Sequence, residues 1–201
     1  MRPQIIAPDL GVVLAGGKSS RMGQNKALMR YKNLRLVDHA VKLLENSGVK
    51  KVIVSGEIDG YENVKDQVKN LGPIGGIISV ILKEKKSEMV FVPVDTPLLT
   101  PELIRKLFEN KNNFDAIFFE KNPLPLFLKI SDQVLALTKK ILAAKKPVAI
   151  HQFLAALNSQ QIFLSEKNSK FFANINTLED YFSLPSSLLI TPPPHSCHPA
   201  F

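Results

Sequence analysis

The chain has 201 residues, of which 45% are hydrophobic and 22% are charged, and its formal net charge is +8. This composition is typical of a folded globular protein and excludes a chain that is disordered or of low complexity throughout. The positive charge favours an anionic ligand, but the lysines are scattered with no interleaved aromatic side chains, which disfavours a nucleic-acid partner.

The first half of the chain alternates between strand and helix patterns. The apolar run Leu10–Ala15, closed by Gly16-Gly17, predicts a strand that is buried on both faces. Helical spacing of apolar residues, with a stop at Gly48, predicts a helix after the following loop. The predicted elements of this half are a strand over 10–15, a helix over 34–47, a strand over 51–55, a helix over 74–85 and a strand over 89–94.

The alternation continues in the second half. Thr100-Pro101-Glu102 predicts a helix start, because Thr favours the N-cap and Pro the first helical position. The predicted elements here are that helix, to about Asn110, strands over 116–119, 126–130 and 161–164, and helices over 131–144 and 148–157. We therefore expect one α/β domain over residues 1–183, a three-layer Rossmann-like fold whose mostly parallel sheet carries helices on both faces. The proline-rich segment 184–201 is predicted to be a flexible tail.

The number of cysteines and the lengths of the apolar runs indicate the cellular compartment of the protein. Cys197 is the only cysteine, so no intramolecular disulfide can form and a reducing compartment is predicted. No apolar run approaches the ~18 residues of a membrane span, and the first ten residues have no signal-peptide pattern. We therefore expect a cytoplasmic protein that binds neither membranes nor nucleic acid.

The loop after the first predicted strand has the composition of an anion site. Gly16 and Gly17 allow the backbone to approach a ligand closely and to turn its amide groups toward it. Lys18, Arg21 and Lys26 add three positive charges nearby, which suits a triphosphate. The P-loop and dinucleotide-binding fingerprints are both absent. On spacing alone, a glycine-rich turn with solvated basic side chains is the better explanation of the segment.

This loop also resembles a family signature. Leu14-Ala-Gly-Gly17, Ser20-Arg-Met-Gly23 and Lys26-Ala-Leu28 are similar to the motif of nucleotidyltransferases that join a nucleoside monophosphate to a phosphorylated acceptor and release pyrophosphate. Within that superfamily the chain most resembles the molybdenum cofactor guanylyltransferases. The segments that carry this resemblance are Gly72-Pro-Ile-Gly-Gly-Ile77, Pro93-Val-Asp-Thr-Pro97 and Asn174-Ile-Asn-Thr177. The likeness extends from about Leu10 to Phe182.

The resemblance implies an enzyme that transfers GMP from GTP to the terminal phosphate of molybdopterin, with Mg²⁺ as cofactor. Lys26, Arg21 and Asp95 are then catalytic, and Asp95, just past a buried strand, is the metal ligand. The implied nucleotide site comprises Leu14, Ala15, Gly16, Gly17, Lys26, Ser55, Asp66, Gly72, Pro73 and Asp95, and the implied acceptor site comprises Asn174 and Asn176. Molybdoenzymes or cofactor chaperones are possible protein partners.

Structural explanations remain open for several of these residues. Asp95 has the pattern of an Asx turn before Pro97, Asp66 that of an exposed loop acid, and Asn176 or Thr177 that of a helix cap. The glycines around Pro73 also suit a tight turn with close helix packing. His39 and His151 are expected to be structural.

The chain departs from the family pattern at three informative positions. Asn25 replaces an acid, Ser55 replaces an asparagine that contacts guanine, and Leu124 replaces a His or Gln before Pro-Leu. The alternatives are therefore a sibling that uses CTP or another acceptor (a molybdopterin, sugar-phosphate or methylerythritol cytidylyltransferase) and a non-catalytic GTP-binding module.

Overall fold

The structure is a computed structural model that describes residues 6–16, 25–67, 71–109, 111–175 and Asp180. The predicted tail, 184–201, lies outside the described residues. The strands are β1 (Leu10–Leu14), β2 (Arg30–Tyr31), β3 (Leu34–Arg35), β4 (Val52–Ser55), β5 (Asn63–Val64), β6 (Glu88–Pro93), β7 (Ala116–Phe119), β8 (Asn122–Lys129) and β9 (Ser159–Ile162). The helices are α1 (Leu36–Asn46), α2 (Pro73–Glu84), α3 (Pro101–Lys106), α4 (Asp132–Ala144), α5 (Ile150–Ala155) and α6 (Glu166–Ser169), with 3-10 turns at Lys26–Leu28, Lys111–Asn113 and Lys170–Phe172.

Seven strands form one sheet in the order β5-β4-β1-β6-β8-β7-β9, and β2 and β3 form a separate small hairpin. Every neighbouring pair in the large sheet is parallel except the two that involve β8, which runs antiparallel to both β6 and β7. This confirms the predicted mostly parallel sheet. It also places the carboxyl ends of β1, β4 and β6 at one edge, where ligands bind in such sheets.

Alternate residues of the central strands supply two hydrophobic cores, one on each face of the sheet. Val13 faces the core that is closed by α1 and α3, whereas Val12 faces the core that is closed by α2, α4 and α5. Both side chains are fully buried. The period of two along a strand therefore explains the continuous apolar run, and helices cover both faces as predicted.

Strand β8 contains two prolines, which a central strand normally excludes because proline cannot donate a ladder hydrogen bond. The register with β7 explains how they fit. Phe118 pairs with Leu126, but the next residue, Phe119, pairs with Asn122. The three residues 123–125 therefore form an irregularity like a β-bulge, where a missing donor is tolerated.

Several predicted boundaries were wrong. The helix expected to reach about Asn110 ends at Lys106, because Leu107 and Phe108 donate to carbonyls three residues back and tighten the last turn. The helix predicted over 148–157 is α5, which runs only from Ile150 to Ala155. Its N-cap residue is Ala149, whose amide donates to the Gln152 side chain at 3.1 Å.

The last predicted strand, 161–164, was placed two residues too late. Its pairing with β7 begins at Ser159, opposite Ala116, and ends at Ile162. The strand predicted over 126–130 begins at Asn122. In the parts of the chain that are described, no helix combines the length and apolarity needed to span a bilayer.

Candidate active site

The site begins where β1 and β6 end side by side. Leu14 lies opposite Pro93 in the register, and the Val94 amide donates to the Leu14 carbonyl at 3.2 Å. The glycine loop after β1 and the segment containing Asp95 therefore leave the sheet at the same point. The sheet, and not sequence proximity, brings these two segments together.

Lys26 and Asp95 meet at this edge. Lys26 Nζ lies 3.1 Å from Asp95 Oδ2, and the two side chains are 20% and 23% exposed. The 3-10 turn that carries Lys26 starts at Asn25, whose side-chain oxygen accepts from the Ala27 amide at 3.1 Å. Because Ala27 is fully buried, this turn is anchored in the core. Asn25, which departs from the family pattern, therefore caps the turn that positions the lysine.

Asp95 also fixes a segment from the far end of the chain. Its carbonyl accepts from the Ile175 amide at 2.8 Å, and Ile175 is fully buried. The preceding residue, Asn174, is thereby held at the site. Within the described residues the Asp95 carboxylate bonds to Lys26 and not to the backbone of its own turn, so the geometry does not support the Asx-turn interpretation.

A cavity of about 470 Å³ opens at this point. Seven of the predicted site residues line it: Leu14, Ala15, Gly16, Lys26, Pro73, Asp95 and Asn174. The turn between β7 and β8 and Phe172 also line it. The volume lies within the range of small-molecule sites.

Ser55, Asp66 and Gly76 form a second group beside Gly16. A Cβ built on Gly16 would lie 3.6 Å from an Asp66 carboxylate oxygen, so that carboxylate faces the glycine loop. Burial raises the pKa of Asp66, and the Ser55 hydroxyl opposes that rise. A Cβ on Gly76 would lie only 2.5 Å from Ser55 Oγ. A side chain at residue 76 would therefore force the Ser55 hydroxyl to move from its position beside Asp66.

The remaining predicted residues divide into two groups. Ser55, Asp66 and Gly72 do not line the cavity itself. Gly72 lies directly before α2 with a left-handed φ of 68°, and its carbonyl accepts from Gly75. The others, Gly17, Arg21 and Asn176, lie outside the described residues.

The donor chemistry around Asp95 suits one kind of metal ion. The described residues contain no cluster of three or more His, Cys, Asp or Glu side chains that would form an all-protein cage. Mg²⁺ does not need such a cage, because it commonly binds through one or two carboxylates together with water and substrate phosphates. A single partly exposed carboxylate at the cavity, as at Asp95, fits that mode.

Sequence reasoning missed the wall formed by Lys121, Asn122, Pro123 and Phe172. The only signal was the short gap between the strands predicted over 116–119 and 126–130, which is compatible with a hairpin turn. His39 is structural as expected, since its Nε2 lies 2.6 Å from the Tyr31 carbonyl oxygen.

Comparisons with known proteins show which family the chain resembles. A sequence model of the family described as the MobA-like NTP transferase domain matches residues 11–162. A molybdenum cofactor guanylyltransferase from Xanthomonas euvesicatoria pv. vesicatoria is 35% identical over 179 residues, which are 88% of this chain and 94% of the relative.

Solved structures share the fold. Molybdopterin-guanine dinucleotide biosynthesis protein A from Archaeoglobus fulgidus has a TM-score of 0.68 and 21% identity, with 86% of this chain and 95% of that chain covered. The Rv0371C protein of Mycobacterium tuberculosis H37Rv, solved as a complex with manganese, has a TM-score of 0.53 and 15% identity, with coverages of 88% and 97%.

Proposed function

The chain belongs to the MobA-like NTP transferase family, and on that premise we propose that it transfers GMP from GTP to the terminal phosphate of molybdopterin. The products are the guanine dinucleotide cofactor and pyrophosphate. The observation that carries the proposal is the Lys26–Asp95 pair, which lines one cavity with the glycine loop after β1. A curated relative at 35% identity is a molybdenum cofactor guanylyltransferase.

The reaction is an in-line substitution at phosphorus. An oxygen of the acceptor phosphate forms a bond to the α-phosphorus of GTP, and the bond from that phosphorus to the bridging oxygen of pyrophosphate breaks. The acceptor phosphate is already an anion near neutral pH, so no side chain has to remove a proton from it. The protein must therefore align two anions and offset their repulsion.

The residues at the sheet edge supply these functions. Lys26 is proposed to contact the α-phosphate and the leaving pyrophosphate, and Arg21 is proposed to add a second charge. Asp95 would hold Mg²⁺, which supplies Lewis-acid stabilisation of the phosphate oxygens when bound. The glycine loop approaches the nucleotide closely because Gly16 has no side chain. Asn174, together with Asn176, is proposed to contact the acceptor.

Base recognition is proposed for the group beside Gly16. Guanine presents two adjacent donors, the N1–H and the 2-amino group, and a carboxylate can accept from both. Asp66 faces the glycine loop and lies beside Gly76, which is itself adjacent to Ser55. Cytosine offers only its amino group as a donor, so a carboxylate at this position favours guanine.

The test is pyrophosphate release by the purified protein with Mg²⁺ and molybdopterin, measured separately with GTP, CTP and ATP. We expect release with GTP to exceed release with CTP by at least about 100-fold, since losing paired donors at a buried polar site is costly. Release with CTP alone would reassign the chain to a cytidylyl-transferring sibling. GTP binding without release would indicate a non-catalytic module.

Two variants make this test specific to the base. Asp66→Asn is expected to reduce the preference for GTP over CTP, because an amide cannot accept from both guanine donors. Asp59→Asn is the matched control: Asp59 is an exposed acid that does not line the cavity. It should leave the GTP preference unchanged. The reaction is expected to be cytoplasmic, with molybdoenzymes or cofactor chaperones receiving the product.

A further inference from the structure

The turn between β7 and β8 carries a lysine that the proposed chemistry does not use. Lys121 lines the same cavity as Lys26 and Asp95. Its side chain is exposed, and among the described residues it has no ion-pair partner. Lys26, in contrast, already contacts a carboxylate. The cavity therefore has one cation in contact with Asp95 and a second cation, contributed by the turn between β7 and β8, that forms no ion pair with a described residue.

The backbone around Lys121 is held on both sides. Its own φ of 63° is left-handed, which fixes a tight turn. The Asn122 side chain donates to the Glu120 carbonyl at 3.1 Å, and the Glu120 amide donates to the Ile162 carbonyl of β9 at 2.9 Å. The turn is thus tied to itself and to the edge of the sheet. The base of the lysine side chain is positioned before any ligand binds.

The wall next to Lys121 is apolar. The irregular segment 123–125 of β8 contributes Pro123 and Leu124 to the cavity, and Phe172 completes this surface. Phe172 is itself fixed by an edge-to-face contact with Phe119, with ring centroids 5.0 Å apart. A flat ring system can pack on such a surface, while an anionic group on the same molecule meets the lysine.

We infer that Lys121 binds the phosphate of the acceptor and thereby sets the Michaelis constant for that substrate. The inference rests on the proposed function. Acceptor and triphosphate are both anions and must approach each other within the cavity that Lys26 and Asp95 line. A cation on the acceptor side offsets this repulsion and raises the local concentration of the acceptor, without contacting the reacting phosphorus.

The experiment uses full-length protein with Mg²⁺, GTP and molybdopterin. Lys121→Met keeps the length of the side chain and removes its charge, and Lys121→Arg restores the charge. Lys129→Met is the matched control, because Lys129 is exposed at the other end of β8, outside the cavity, and its loss changes the net charge equally. The readouts are KM for molybdopterin, kcat, and the dissociation constant for Mg²⁺-GTP.

We expect Lys121→Met to raise KM for molybdopterin about five- to tenfold, the effect of losing one solvent-accessible charge-assisted contact. The value of kcat and the GTP dissociation constant should stay within twofold of wild type, and Lys121→Arg should restore KM. The wild-type KM should rise with salt more steeply than that of Lys121→Met.

The outcomes separate this inference from the proposed function. Wild-type turnover combined with an unchanged KM in Lys121→Met overturns the inference alone. An equal rise in KM for molybdopterin in Lys129→Met overturns it as well, because the rise would then reflect the net charge of the protein and not a contact with Lys121. No turnover by the wild-type protein overturns the proposed function, and the inference with it.

Discussion

Replacing Lys26 by Met should separate catalysis from stability. The lysine contacts Asp95 at 3.1 Å, but both side chains keep about a fifth of their surface in water. Such a pair contributes roughly 0–1 kcal/mol to the free energy of unfolding. For a domain of this size, that corresponds to a fall in Tm of at most about 2–4 °C. Asp95 stays partly hydrated after the substitution, so the cost of an isolated buried charge is avoided.

The effect on turnover should be far larger. A preorganised donor that faces charge developing in the transition state is worth about 10²–10³ in kcat. In phosphoryl transfer there is little covalent chemistry for the protein to perform, so the loss of one positioned cation cannot be compensated elsewhere. We therefore expect Lys26→Met to lower kcat by at least about 100-fold, with thermal unfolding close to that of wild type.

The assay is pyrophosphate release with saturating GTP and molybdopterin, with Tm measured on the same preparations. Lys51→Met is the matched control, since Lys51 also forms ion pairs, with Glu62 at 2.9 Å and Glu84 at 3.2 Å, but does not line the cavity. It should keep kcat within twofold of wild type. The reasoning would be refuted if Lys26→Met kept kcat within threefold of wild type. It would also be refuted if kcat fell only because the variant had unfolded, as shown by its Tm.

Three further substitutions test the packing and electrostatics of the fold. Gly76→Ala should destabilise the protein by about 1–3 kcal/mol and raise KM for GTP, because the new Cβ would lie 2.5 Å from Ser55 Oγ. The double variant Gly76→Ala with Ser55→Ala should recover the lost stability, measured by urea unfolding. Asp38→Asn should cost about 1–2 kcal/mol at pH 7, since hydrogen bonding to Arg35 lowers the pKa of Asp38 from 3.8 to about 2. Because the pKa of Asp38 is lowered on folding, the ionised carboxylate stabilises the folded state fully above pH 3.8, and this stabilisation is lost as the pH falls through 2. The difference in the free energy of unfolding between wild type and Asp38→Asn should therefore shrink as the pH falls from 3.8 to 2. Ser131→Ala should lower the free energy of unfolding by about 0.5–1 kcal/mol, measured by thermal unfolding. Ser131 is the N-cap of α4, and its Oγ accepts from the amide of Val134, in the first turn of that helix, at 3.3 Å.

Each of these has a result that contradicts it. The first prediction is contradicted if Gly76→Ala is as stable as wild type, or if adding Ser55→Ala does not raise the stability of Gly76→Ala. A stability difference for Asp38→Asn that stays constant between pH 7 and pH 2 would exclude the carboxylate as its source. For the cap, Ser165→Ala is the control, because the Ser165 side chain makes no cap bond. Equal losses in the two serine variants would exclude capping as the cause.

Local patterns were sufficient to predict most of the fold. Ser131 combines a cap residue with helical spacing after it, and α4 begins directly after it and ends at Ala144 as predicted. The continuous apolar run of β1 was likewise read correctly, because both faces of the sheet are covered. Such elements are defined by residues that are close in sequence.

Features of the sheet that depend on strand pairing could not be predicted from the local sequence. The direction of β8 depends on its two neighbours in the sheet, and Pro123 and Pro125 made its first half look like a loop. Strand β5 has only two residues and the hairpin β2–β3 only two in each strand, too few for a periodic pattern. These elements exist because a partner strand is present.

The site shows the same division. Lys26 and Asp95 are 69 residues apart, and only the adjacency of β1 and β6 brings them to 3.1 Å. Resemblance to a family pointed to both residues. Composition and spacing alone favoured a simple turn for the loop that precedes Lys26 and left a turn as an equal explanation for Asp95. Lys121 was missed because it belongs to no motif and reaches the cavity only through the β7–β8 turn.

The most direct test of the proposed function follows the α-phosphate of GTP. Wild-type protein is incubated with Mg²⁺, molybdopterin and GTP labelled at the α-phosphorus, in parallel with the Asp95→Asn variant, and the products are separated. We predict that the label moves into a guanine dinucleotide of molybdopterin with wild type, and that the variant lowers this transfer by at least about 100-fold. Label that remains in GTP or appears only as free GMP with wild-type protein would contradict the proposal.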